Sequence, residues 1–221
     1  TDQLASLVQF FEKHDMPEPN WFPMVRGRLT AINGHPVQVE KYKDIRKKQL
    51  LNREFNLSWS SELQSDNEIT AGRWWSENQP MTESEISLEE EIARIIGLNI
   101  GDRLTFNIAD QLFEATITNL RKVDWDTFRV NFFAIARPGY LEHYPTYYVT
   151  SFHLPADKTK VLHELVREYP NLLIIDVASV IEQVQKMILQ VSRAIEFVFI
   201  FTLLAGLVVL YAAIVATQDE R

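Results

Sequence analysis

The sequence EFVFIFTLLAGLVVLYAAIVATQDER, residues 196–221, decides how the rest of the chain is interpreted. No side chain between residues 197 and 217 is charged, and Phe, Leu, Val, Ile and Ala dominate there. A helix needs about 20 apolar residues to cross the hydrocarbon core of a membrane. Residues 197–217 are therefore predicted to form a transmembrane helix. The alternative is a buried core helix or an oligomerisation helix, against which the lack of a polar stripe counts.

A second helical pattern runs directly into this segment. Ser179 and Glu182 have the spacing of a capping box, which predicts that the helix begins there. Apolar residues then recur on one helical face, at Ile181, Val184, Ile188, Val191 and Ile195. One continuous helix is expected over residues 180–217. Residues 179–196, called the stalk below, would reach roughly 25 Å above the bilayer at about 1.5 Å per residue. Docking of the stalk on the chain's own soluble part is the alternative.

The composition limits the classes of protein that the chain can belong to. Of 221 residues, 46% are hydrophobic and 24% charged, with a net charge of -8, so most of the chain is expected to fold in water. The acidic balance argues against nucleic-acid binding, because phosphate contacts need a concentrated basic face. The absence of cysteine excludes disulfides and thiolate metal sites. Because the sequence starts at Thr1, we expect a piece of a longer protein.

Before the stalk, the sequence mixes helix and strand signals, so an α+β fold is expected. A short helix is predicted over residues 2–14 and another over residues 158–169, from their apolar spacing. Ser87 and Glu90 form a second capping box, which predicts a helix that stops near Gly97.

Strand signals occupy most of the remaining sequence. Asn33-Gly34 between two β-prone runs predicts a hairpin with a type I′ turn. Alternation of apolar and polar residues on both sides of Asp110-Gln111 predicts two more strands, within a β-rich submodule near residues 86–150. Residues 171–177, NLLIIDV, are predicted to be a buried strand. Further strand candidates are FNLSWS, EITAGRWW, NFFAIARPG and TYYVTSFHLP.

The sequence contains no motif that indicates an enzyme. The histidines are scattered and have no metal-ligand spacing; they are His14, His35, His143, His153 and His163. A nucleophile elbow, a Walker A loop and a dinucleotide-binding glycine motif are all missing. We therefore nominate no catalytic, cofactor-binding or metal-binding residue.

Aromatic residues are the remaining candidates for a binding surface. A surface for an apolar ligand is a hypothesis for five of them, Trp74, Trp75, Trp125, Phe132 and Phe133. Packing in a β-rich core is the commoner role of such residues.

Several segments resemble the FtsX-like, MacB-type ABC transporter permeases, in particular their YbbP-like branch. They occur in the family's order from Pro23 onward: PMVRGRLTAING, AGRWW, GLNIGD, LRKVDWDTFRVNFF, ARPG, TSFHLP and VLYAAIVATQDER. One departure is Val130, where a proline is expected. It affects the expected shape of that loop.

The resemblance implies a location and a mechanism. Residues 1–178 would be a periplasmic core domain, residues 197–217 a helix of the bacterial inner membrane, and residues 218–221 the start of a cytoplasmic segment. The stalk would carry motion from a separate ABC-type ATPase, through Ser179, Glu182, Val184, Ile188, Val191 and Ile195. A periplasmic thioesterase-type lipid hydrolase and a hydrophobic substrate are also implied. The stalk would equally suit a membrane-anchored binding or sensor domain.

Overall fold

The α+β fold expected from the sequence is confirmed by a computed structural model, which describes residues 2–76, 83–127, 129–155 and 158–218. The chain divides into two compact units, Thr1–Pro155 and Ala156–Arg221. The first unit contains helices α1 (Asp2–Lys13), α2 (Ile45–Asn52) and α3 (Glu90–Ile96). The second unit contains α4 (Thr159–Glu168) and α5 (Val177–Gln218).

The strands of the first unit join in one mixed sheet. They are β1 (Phe22–Ile32), β2 (His35–Pro36), β3 (Glu54–Trp59), β4 (Asn67–Gly72), β5 (Glu85–Glu89), β6 (Arg103–Ile108), β7 (Gln111–Val123), β8 (Ala134–Ala136) and β9 (Tyr147–Val149). Six of them close into a ring in the order β1-β3-β8-β5-β7-β6, because β6 pairs with both β7 and β1. The predicted β-rich submodule is therefore wider than residues 86–150, since β1 and β3 belong to the same ring.

The interior of the ring is the main hydrophobic core. Alternate residues of each strand point inward and are nearly inaccessible, among them Val25, Leu57, Ile86, Phe106 and Ile117. Helix α3 adds Ile92 and Ile96 to the same cluster. Small closed sheets of this kind are filled by side chains rather than by solvent.

One irregularity in strand pairing reverses the alternation near the end of β7. The β5–β7 register shifts so that Ile86 lies opposite Ile117 but Ser87 lies opposite Asn119, which leaves Thr118 as an extra residue. As a result Leu120 packs against the interior cluster, while Asn119 and Arg121 turn to the outer face. Gly72 of β4 lies against this bulge with φ +76, and a Cβ there would stand 2.3 Å from the carbonyl oxygen of Thr118.

Most of the local predictions are confirmed. Asn33 and Gly34 have φ values of 51° and 75°, as a type I′ turn requires, and join β1 to β2. Helix α1 and helix α4 occupy the predicted segments, and Gly97 ends α3 in the left-handed conformation. The turn between β6 and β7 lies at Ala109 and Asp110, one residue before the predicted position.

Three local predictions are wrong. Ser87 lies within β5, and the side chain that caps α3 is Glu89, whose carboxylate accepts from the amides of Glu91 and Ile92. The capping box at Ser179 is likewise displaced, because α5 already begins at Val177 and Asp176 accepts from Ser179. Residues 172–176 have no regular structure, and Leu173 is 89% exposed, so NLLIIDV is not a buried strand.

Candidate functional site

The longest apolar surface of the described chain belongs to α5. Within this helix the span Ser179–Tyr211 is long and apolar enough to cross a membrane by length and composition, and its most apolar 18-residue window has a mean hydropathy of 2.4. None of it is buried by other described parts of the chain. Phe197, Phe199 and Phe201 are each more than 60% exposed, which a helix in water would not tolerate as one large patch. The charged residues 219–221, which are predicted to end the helix, lie outside the described residues.

The stalk is helical throughout, as predicted. Its apolar residues are uncovered among the described residues, with exposures from 37% at Ile181 to 65% at Ile195. Its polar face carries an ion pair between Glu182 and Lys186 at 3.8 Å, which is solvent-exposed and contributes little to stability.

The stalk also shows a heptad spacing that extends the predicted face in both directions. The apolar positions follow each other by alternate steps of four and three, at Val177, Ile181, Val184, Ile188, Val191, Ile195 and Val198. A stripe with this period is typical of a helix that packs along another helix. This apolar stripe is therefore suited to packing along a second helix.

The five aromatic residues proposed for an apolar ligand occupy two separate places. Trp75 and Phe132 are buried on the outer face of the ring, in a small cluster with Met24 and Ile135, and Trp74 packs against it. The rings of Trp74 and Trp75 are 3.9 Å apart, and their indole N–H groups donate to the carbonyls of Ser61 and Ser60. These contacts are those of core residues.

Trp125 and Phe133 form the second place. Trp125 is 45% exposed, and its ring centroid lies 4.9 Å from that of Phe133. The Arg53 guanidinium lies 4.8 Å from the same Phe133 ring. Trp125 is thus the member of the set whose indole is available at the surface.

Trp125→Ala is expected to lower the free energy of unfolding by about 1 kcal/mol, because the lost interaction is one aromatic contact at a half-exposed site. Equilibrium urea unfolding of the purified chain measures it. The control is Phe133→Leu, which keeps apolar volume and removes the same ring contact. A loss of several kcal/mol for Trp125→Ala alone would show that Trp125 belongs to the core.

A buried group of polar side chains lies on the outer face of the ring and was missed in the sequence. Ser87, Asn119 and Arg121, called the polar row below, are each 0% exposed. The bulge at Thr118 brings them to one face, because Ser87 is the register neighbour of Asn119 and Glu89 that of Arg121. The sequence does contain a signal for this group. If the alternation that begins at Phe113 continued, Asn119 and Arg121 would point into the hydrophobic core, where polar side chains are not expected.

Burial governs the electrostatics of the polar row. Desolvation lowers the pKa of Arg121 to about 10, and the attraction of Glu89 and Asp66 offsets this only in part. Among the residues that the structure describes, no group of three or more histidine and carboxylate side chains is arranged to hold a metal ion.

Comparison with known proteins connects the chain to a class of membrane transporter. The chain is similar to an ABC transporter permease. This relative is the uncharacterized ABC transporter permease YbbP of Escherichia coli (strain K12), with 34% identity over 221 residues. The match covers 100% of this chain and 26% of the relative, so the chain spans about a quarter of the relative's length.

Two other comparisons add little. No family model matches the chain. A crystal structure of a domain of a candidate permease from Porphyromonas gingivalis is 9% identical, with a TM-score of 0.35 over 77% of this chain and 71% of that one. A likeness at that level carries no argument about fold or function.

Proposed function

We propose that this chain is part of the permease subunit of an ABC transporter and transmits ATP-driven motion to a periplasmic domain. Its similarity to a permease over its whole length supports the class of protein. The observation that carries the mechanism is α5, a helix of 42 residues in which an amphipathic stalk continues without a break into an apolar span. A continuous helix moves as a rod, so displacement at one end reaches the other.

The parts of the chain have separate roles in this proposal. Residues 1–178 form the periplasmic domain, the span 197–217 lies in the inner membrane, and residues 218–221 lead into the cytoplasm. The stalk residues Ser179, Glu182, Val184, Ile188, Val191 and Ile195 couple the two sides. The chain itself performs no reaction and holds no cofactor, since ATP is hydrolysed by an ABC-type ATPase subunit.

The substrate of the proposed transporter is a lipid or another hydrophobic molecule. Among the five aromatic residues of the set, Trp125 is half-exposed and is the one best placed to contact this substrate. A periplasmic thioesterase-type lipid hydrolase is the second partner that we propose, after the ATPase.

Co-purification of the full-length protein from membranes tests the proposal. We expect an ABC-type ATPase to accompany it in mild detergent and the complex to hydrolyse ATP. The control is the same preparation with the Walker lysine of the ATPase replaced, which should retain the complex and lose hydrolysis. A protein that comes alone and has no further membrane span would instead be a membrane-anchored binding or sensor domain.

A further inference from the structure

The guanidinium of Arg121 is a buried charge whose direct partners are neutral. Its Nη1 donates to Oδ1 of Asn67 at 2.9 Å, and its Nη2 donates to the carbonyl oxygen of Phe132. Its Nε–H has no partner. No carboxylate within the described ranges forms an ion pair with it. Charges that are fully buried in proteins are normally paired, so the arrangement is incomplete as it stands.

The two carboxylates whose charges attract Arg121, Glu89 and Asp66, make their hydrogen bonds elsewhere. Both oxygens of Glu89 accept from backbone amides at the start of α3, at 3.0 and 2.8 Å. Asp66 accepts from the Asn67 side chain at 3.1 Å and from Thr127 Oγ1 at 3.2 Å. They therefore lower the cost of burying Arg121 without occupying its free donor.

Other buried polar atoms are also without partners. Ser87 Oγ and Asn119 Oδ1 are buried and make no hydrogen bond, and Asn131 Nδ2, next to Phe132 in the chain, makes none either. The unused donors are thus the Arg121 Nε–H, the Ser87 hydroxyl and the Asn131 amide, whereas Asn119 Oδ1 is an unused acceptor. Leaving several such groups unsatisfied is unusual for a protein interior.

We propose that Arg121 and Ser87, the two members of the polar row with an unused donor, bind an oxyanion, either a free carboxylate or phosphate or the anionic group of a larger ligand. Guanidinium and hydroxyl donors are the groups that bind such oxygens most strongly. Trp75, Phe132 and Ile135 on the same face keep bulk water away and strengthen the interaction.

Access to the polar row requires the covering segment, residues 73–76, to move. Asn119 Nδ2 donates to the carbonyl of Arg73 at 3.3 Å, which places this segment over the row. The segment has no regular secondary structure and is held by the indole hydrogen bonds of Trp74 and Trp75. Its displacement would change the environment of both indoles, so tryptophan fluorescence reports binding.

The test compares two buried serines of the same face in the 221-residue chain in detergent. Thermal unfolding and tryptophan fluorescence are followed with inorganic phosphate, acetate or dodecyl phosphate at constant ionic strength, and with dodecyl maltoside as the uncharged tail control. We expect at least one anion to raise the midpoint temperature. Ser87→Ala should weaken binding by roughly tenfold, the value of a hydrogen bond to a charged group, and should fold because its hydroxyl has no protein partner.

Ser58→Ala is the matched control. Ser58 lies in the same cross-strand row, separated from Ser87 by Ile135, and its hydroxyl donates to the carbonyl of Pro23 at 2.6 Å. This variant should be less stable without anions and bind them as the parent does. A response to phosphate or acetate indicates a free anion, and a response to dodecyl phosphate alone indicates the head of an amphiphile.

Two results would overturn the proposal. One is that no anion stabilises the parent chain, or that Ser87→Ala and the parent respond equally. The other is a high-resolution crystal structure, grown with phosphate, in which ordered waters alone satisfy Ser87, Asn119 and Arg121.

Discussion

Insertion of two glycines between Gln190 and Glu196 is expected to reduce transport to background while ATP hydrolysis by the complex continues. Each glycine weakens a helix by about 1 kcal/mol relative to alanine, so the rod becomes flexible between the stalk and the span. Two inserted residues also rotate everything beyond them by about 200°, which would move the heptad face away from its neighbour. The measurement is substrate transport and ATP hydrolysis in proteoliposomes.

Two further insertions at the same place separate stiffness from rotation. Two alanines keep the helix stiff and rotate it, whereas seven helix-forming residues keep both its stiffness and the register of the heptad face. If stiffness matters most, the two alanines retain more coupling than the two glycines. If all three variants transport like the parent, α5 does not transmit motion.

Gly72→Ala is expected to lower the free energy of unfolding by about 4 kcal/mol. A Cβ at this position would stand 2.3 Å from Thr118 O and 2.9 Å from Asn119 Cα, so two strands must separate to admit it. The φ of +76 adds the strain of a left-handed conformation. For a unit of this size the melting temperature should fall by roughly 10 °C.

Gly34→Ala is the control for that substitution. Gly34 has nearly the same φ, +75, but a Cβ there meets nothing within 4 Å. Only the backbone strain should appear, at about 1 kcal/mol. Equal losses for the two variants, measured by chemical denaturation, would mean that the contact with β7 is relieved at no cost.

Features that depend on neighbouring residues could be predicted from the sequence. Asn33-Gly34 determines its turn because both residues tolerate positive φ, and the apolar composition of α5 needs no tertiary contact to be recognised. The caps were harder to predict. Glu89 caps α3 although Ser87 fits the same motif, because Ser87 still lies in β5. Asp176 accepts from Ser179, which also fits the motif, because Ser179 already lies in the first turn of α5.

Features that depend on distant residues could not be predicted. The polar row exists because the extra residue Thr118 turns Asn119 and Arg121 to the outer face of the ring. Alternation of the sequence alone would place both residues on the inner face. The separation of Trp125 from Trp75 also depends on tertiary packing, since the consecutive residues Phe132 and Phe133 point to different clusters.

The position of β8 in the ring has a consequence for synthesis of the chain. β8 lies between β3 and β5, both of which precede it in the chain, and it pairs with each through residues 134–136. Until residues 134–136 have been synthesised, the edges of β3 and β5 that pair with β8 have unpaired backbone amides and carbonyls. Such edges can pair with strands of other chains. The unit therefore completes its fold late, and a product truncated before residue 134 would be prone to aggregation.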